Sequence, residues 1–278
     1  MKRKINKKII FILLASFVAV AIYHLYSTSL CFYKVKYPKQ DISEVLQKDN
    51  LTDDDYMLIF RQTGISPHSS KKLVQKGDLD FLQDMNDLYF KIPEIQKDYI
   101  AFPVTASEVN TSYTVPFADI KRGDILVTFN THTLDWRHGH CAIVIDEKNG
   151  LLLEHMSIGN PSCITNIKYW GEYPGFVVLR YPDENIAKKA ADYAENHLVG
   201  IDYDVFAGMI KKDKTGQQNP SSQCAHIVWQ AYKSVGADID STSDAFVIPK
   251  DIAMSDKLKL VQIYGINPDK YKGRILMD

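Results

Sequence analysis

Apolar positions along the chain change their spacing from one region to the next, and each spacing predicts a different kind of element. The first is an almost unbroken apolar run from Ile9 to Ile22, continued by Tyr23, Leu25 and Tyr26 and preceded by Lys2, Arg3, Lys4, Lys7 and Lys8. A spanning helix needs roughly 17–25 residues, and a basic flank before one apolar segment predicts that the rest of the chain crosses the membrane. Ala19-Val20-Ala21 also has the small-x-small form of a cleavage site. Because apolar and aromatic residues continue past Ala21, residues 9–26 read as a retained single-pass anchor with residues 1–8 cytoplasmic. Secretion after cleavage near Ala21 is the alternative. Residues 27–40, aromatic and basic, read as a stalk.

From about Asp41 to Lys97 the spacing is helical. Thr52 caps a helix whose first turn carries Asp53, Asp54 and Asp55, and Gly64 ends it. A second helix over about Asp78 to Phe90 places Leu79, Phe81, Leu82, Met85, Leu88 and Tyr89 on one broad face. Residues 41–117 therefore read as a helical region that packs against, or walls, whatever follows.

Beyond Asn110 the period shifts toward two. Gly123-Asp124 opens a strand from Ile125 to Phe129. His140 to Ile145 alternates, with His140, Ala142 and Val144 on one face and Cys141, Ile143 and Ile145 on the other. Asp146 to Gly150 is a turn ending in Asn-Gly, and Leu151 to Met156 returns antiparallel. Gly175 to Tyr181 adds a strand, and Pro182 introduces a helix from about Glu184 to His197 with Ile186, Ala190, Tyr193, Ala194 and Leu198 on one face. Lys211 to Gln223 is a polar loop. The last strong element is a helix over Pro220 to Gly236, capped by Ser221 or Ser222 and closed by Gly236. Its Cys224, Val228, Ala231 and Val235 share a face, with the thiol in the first turn. The fold class is α+β.

Composition changes this picture little. With 278 residues, 45% of them hydrophobic, the chain can bury one or two cores, and a net charge of −1 supplies no basic excess for a nucleic acid. Cysteines at 31, 141, 163 and 224 form no CxxC pair and no zinc-finger spacing; a Cys141–Cys163 bridge has no support from spacing.

The candidate chemistry starts at Cys224. A free thiol titrates near about 8.5, and the positive end of a helix favours its thiolate. Read alone, Cys224 is equally a small buried apolar residue. A nucleophilic thiol needs a base, and the base needs an orienting group. His140 starts an alternating strand after Gly139, where a glycine admits another backbone. Glu154 follows three leucines and is costly to bury unless paired. Glu154 and His155 point to opposite faces, so only one shares His140's side. The competing readings are a structural histidine, or a metal held by His138 and His140 with Glu154 or His155. His226 falls on another side of its helix from Cys224.

These residues carry a resemblance. Gly123-Asp124-Ile125-Leu126, Gly139-His140-Cys141-Ala142-Ile143-Val144, Leu153-Glu154-His155, Tyr203-Asp204 with Phe206, Gln223-Cys224-Ala225-His226-Ile227-Val228-Trp229 and Pro249-Lys250-Asp251-Ile252-Ala253 resemble, in that order, the permuted papain-like amidases of the YiiX/YaeF type. That group belongs with the NlpC-type cysteine peptidases and is similar to the lecithin retinol acyltransferase group. The resemblance covers roughly residues 118–262. It implies a circularly permuted papain-like domain over 118–278, an antiparallel sheet against the cysteine helix, and a triad of Cys224 as nucleophile, His140 as base and Glu154 as orienting acid. Tyr203 and Gln223 are implied as substrate or oxyanion groups. Ala225-His226 stand where the family often has Ser-Glu. The expectation is an extracytoplasmic cysteine hydrolase, without cofactor, cleaving an amide, ester or thioester of a cell-envelope peptide or lipid. The alternatives are a metal-dependent hydrolase using His138, His140 and Glu154, or a non-catalytic envelope-binding protein.

Overall fold

A computed structural model describes residues 8, 13–20, 32–101, 104–134, 136–205, 207, 221–242 and 246–277. The anchor expected over 9–26 lies largely outside them, as do Cys31, Phe206 and residues 211–220 of the polar loop; residues 13–20 are helical and exposed. Among the described residues no helix is long and apolar enough to cross a membrane.

The protein is α+β. Its N-terminal helices are α1 (Ser43–Leu46), α2 (Asp53–Thr63), α3 (Pro67–Lys76) and α4 (Leu79–Phe90). Thr52 caps α2 as expected: its hydroxyl accepts from Asp55 N–H, and the Asp55 carboxylate accepts from Thr52 N–H in return. Gly64 ends the helix at φ 73°. The helical reading of residues 41–117 is corrected in two places. Ser66 and Pro67 start a separate helix that stops at Gly77, and residues 95–110 form a hairpin, β1 (Ile95–Ala101) and β2 (Thr105–Asn110). β1 carries Gln96-Lys97-Asp98 in succession and β2 is mainly polar, so the period-two signal of a buried face is missing.

That hairpin joins β4 (Thr131–Thr133) and β5 (Trp136–Arg137) in a four-stranded antiparallel sheet. The larger sheet has six antiparallel strands in the order β12-β9-β3-β6-β7-β8, from β3 (Ile125–Thr128), β6 (His140–Asp146), β7 (Leu151–Glu154), β8 (Cys163–Asn166), β9 (Phe176–Arg180) and β12 (Lys259–Tyr264). One face, with Ile125, Val127, Cys141, Ile143, Val177 and Leu179, packs on α5 (Glu184–His197) and α6 (Cys224–Ser234). Ala142, Val144, Leu152, Leu126 and Val178 on the other face share a core with Ile59, Leu82 and Met85 of the N-terminal helices. The helical region is thus a layer of the same fold, not an appended wall. Cys141 and Cys163 are both free thiols.

Two buried ionic clusters tie the layers. Arg180 donates from Nε and NH2 to Asp124 at 2.8 and 2.7 Å, and from NH1 to Asp119 at 3.0 Å. Arg137 forms a fork with Glu108 at 2.6 and 2.7 Å, and Asn130 donates to the same carboxylate at 2.9 Å. The second cluster holds the small sheet beside the start of β6.

Candidate functional site

His140 sits at the first position of β6, opposite Thr128 of β3. Gly139 before it has φ 79°, and a Cβ there would lie 2.7 Å from Thr128 O and 3.1 Å from Pro249. The backbone approach expected of that glycine is therefore present. On the neighbouring strand Glu154 pairs with Ala142, which places its side chain on the His140 face. The Nε2–H of His140 donates to Glu154 Oε2 at 2.9 Å, with both side chains buried.

The thiol reaches this pair from a different layer. Cys224 is the first residue of α6, and its thiol lies near enough to the His140 ring to favour the charged imidazole. Glu154 occupies Nε2, which leaves Nδ1 as the other ring nitrogen. Burial by itself pushes His140 down, but the influence of Cys224 and Glu154 outweighs it and pushes the imidazole up to about 10. Burial works against the Glu154 carboxylate, and His140 overcomes it and holds the group below its ordinary range. The arrangement keeps a proton on the ring, beside the Glu154 carboxylate.

Trp170, which the sequence reading did not single out, completes the cluster. Its indole N–H donates to the same Glu154 oxygen at 3.0 Å, and its ring stacks on His140 with centroids 5.3 Å apart at 22°. The 3₁₀ turn Ile167–Glu172 after β8 delivers it. A buried Trp whose N–H must find an acceptor is the only signal the sequence held. Tyr173 packs edge-on to Trp170 at 5.2 Å.

The helix start differs from expectation. Ser221 and Ser222 do not cap α6; they form β11 (Ser221–Ser222), parallel to β10 (Asp202–Tyr203). The cap is Gln223, whose Oε1 accepts from Ala225 N–H at 2.9 Å while Nε2 donates to Val247 O at 2.6 Å. Cys224 Sγ lies 3.5 Å from that oxygen. The Gln223 amide thus joins the helix end to the Val247 carbonyl. Nor does α6 bury one stripe: residues 224–232 are all buried. The Cys224 N–H belongs to the first turn, whose donors have no partner inside the helix.

Tyr203 enters through β10, and burial followed by the proximity of Cys224 raises its hydroxyl. His155 does not join His140. It meets Tyr203 edge-on at 4.7 Å, donates from Nε2 to Asn160 O at 3.2 Å, and burial pushes it down to about 4. His226 turns to Ser222, Nδ1 to hydroxyl 2.9 Å.

His138, a ligand in the metal reading, is engaged elsewhere. Its Nδ1–H donates to Gly139 O at 2.7 Å and its Nε2 accepts from the Thr133 hydroxyl at 3.0 Å. Among the described residues no group of three His, Cys, Asp or Glu side chains is arranged to hold a metal ion. A groove of about 930 Å³ lies between Asp84, Asp87, Phe117, Lys148 and Lys168 and includes none of the site residues. Unlike that groove, the buried cluster places a cysteine beside titratable partners, which makes it the candidate site.

No family model, curated protein or solved structure matches this chain.

Proposed function

We propose that this protein is a membrane-anchored cysteine hydrolase of the permuted papain-like, YiiX type, with its folded part outside the cytoplasm. The observation that supports it is the buried His140 imidazole bonded to Glu154 at 2.9 Å, with the Cys224 thiol at the start of α6 favouring the charged ring. The chain order, histidine before cysteine, agrees with the permutation that the resemblance implies. The substrate class is an amide, ester or thioester of an envelope peptide or lipid.

In the proposed reaction the Cys224 thiolate attacks the carbonyl carbon while His140 carries the proton. The Cys224 N–H, at the positive end of α6, faces the negative charge that grows on the carbonyl oxygen. His140 gives its proton to the leaving nitrogen, oxygen or sulfur as the carbon–heteroatom bond breaks, leaving a thioester on Cys224. The neutral ring then takes a proton from water, whose oxygen attacks the thioester; the acid departs and the thiol is restored. Glu154 holds the ring in one orientation throughout, and Trp170 holds Glu154.

The test is hydrolysis of a chromogenic acyl ester together with peptide-resolved alkylation by iodoacetamide. Cys224→Ala abolishes turnover, a chelator does not, and Cys224 is alkylated faster than Cys163 near pH 6 in a manner that His140→Ala removes. Turnover that survives Cys224→Ala and disappears with the chelator overturns the thiol reading in favour of a metal.

A further inference from the structure

The tips of the two hairpins of the smaller sheet meet, with Leu134 N–H donating to Val104 O at 2.8 Å. Around that bond Leu134 is 78% exposed, Trp136 53%, Tyr99 46% and Val104 40%. Large apolar side chains gathered at one water-facing edge mark an interaction surface. Leu134 also has φ 49°, a left-handed conformation that glycine or asparagine adopts at lower cost. The turn therefore keeps an exposed leucine where backbone preference favours another residue. Asp135, between Leu134 and Trp136, lies outside the described residues.

The remainder of the chain says what covers this edge. Phe32 packs against Tyr264 at 6.0 Å, and Tyr33 N–H donates to Gly265 O at 2.8 Å. Gly265 abuts Pro174, and Gly175 abuts Asn130, whose amide holds Glu108 of β2. The N-terminal segment thus leaves the fold beside the base of the smaller sheet. From that base, strands of six or seven residues reach about 20 Å to the tips, at roughly 3.3 Å per residue. From Tyr26, at the end of the apolar run, to Phe32 the chain takes six steps that span at most roughly 22 Å. A bilayer holding the run 9–26 therefore stands at a distance the tips reach.

We propose that the paired hairpin tips dock on the surface of the bilayer that carries the N-terminal anchor. Trp136 and Tyr99 lie at headgroup level, where amphipathic rings are favoured, and Leu134 and Val104 face the acyl chains. The docked edge adjoins the site: Trp136 contacts His138 at 5.9 Å, two residues before His140. This rests on the anchored placement proposed above and narrows the substrate to an amide or acyl ester resident in the membrane. It does not depend on the chemistry of Cys224.

Tryptophan fluorescence reads this contact directly. Of the three tryptophans, Trp170 and Trp229 are each 1% exposed and Trp136 is 53% exposed. The full chain is reconstituted into phosphatidylcholine vesicles with acyl chains brominated near the glycerol end, and into unbrominated ones. Bromolipid quenches the Trp136 share of the emission; Trp136→Phe removes that quenching, and Leu134→Asp reduces it with the far-ultraviolet circular dichroism retained. Flotation with the vesicles but equal emission in both lipids overturns the docking alone and leaves the edge to a protein partner. Failure to float overturns the docking and the anchor together, whereas a Cys224 found inert in the alkylation assay leaves the fluorescence result standing.

Discussion

Glu154 is a carboxylate buried beside a sheet, and two donors converge on one of its oxygens: His140 Nε2–H and Trp170 Nε1–H. Each donor favours the ionised form. Trp170→Phe keeps the stacked ring but deletes its N–H, and a hydrogen bond to a charged group contributes about 1.5–3 kcal/mol. We expect a lower melting temperature and an acid limb of turnover displaced to higher pH, because Glu154 then protonates more readily. The pH–rate profiles of wild type and Trp170→Phe check this. Removing the charge itself, with Glu154→Gln, lowers turnover by about 10²- to 10⁴-fold, the range of general acid–base contributions. His155 gives a separate signature. Burial pushes it down to about 4 in the folded state, whereas an unfolded histidine titrates near about 6.5. Between these values the unfolded chain binds the proton and the folded chain does not, so stability falls as pH drops from about 6.5 toward 4 and this contribution levels off below. Denaturant titrations across that window show a shallower slope for His155→Gln than for wild type.

At the scale of elements, Cys224, the proposed nucleophile, is placed by a cap. Gln223 joins the first turn of α6 to the Val247 carbonyl, so one side chain holds both the helix end and the segment before α7 (Pro249–Ala253). Gln223→Ala removes both contacts. Loss of a cap costs about 0.5–2 kcal/mol, and the expected result is destabilisation of that order with turnover reduced more than stability explains, since the Cys224 N–H and sulfur move with the turn. Chemical denaturation beside the ester assay separates the two effects. Here the chain was only partly legible. Gly236, at φ 88°, closes the helix as its position predicted, but the serines expected to cap it are drawn into β11 by Asp202 and Tyr203. A cap is a local signal, and a strand pairing with a distant segment overrides it. The hairpin of β6 and β7 followed the sequence closely because a turn chemistry and a period of two agree there.

In the whole molecule, the N-terminal helices and the large sheet bury one another, and Arg180 lies where Asp119 and Asp124 converge. Asp124 is 1% exposed, and burial raises it against the opposing pull of Arg180. Arg180→Gln leaves that carboxylate without its cation, which costs about 3–5 kcal/mol. Because the helices share a core with the sheet, calorimetry of this variant shows one transition at lower temperature rather than a separate early unfolding of residues 43–90.

The sequence by itself determined the elements whose signals are local: the Thr52 and Gly64 helix boundaries, the helix Glu184–His197 and the turn from Asp146 to Gly150, while which of Glu154 and His155 shares the face of His140 was left to the strand register. Period and turn chemistry act over a few residues, so they are written where they act. Tertiary structure decided what depends on distant segments meeting. It made β1, β2, β4 and β5 one sheet although their residues are mainly polar, and buried every side of α6 from Cys224 to Tyr232 between layers. It also brought Trp170, 16 residues beyond Glu154, onto that carboxylate and turned His155 toward Tyr203. Spacing along a chain says which face a side chain takes; only packing says which other face it meets.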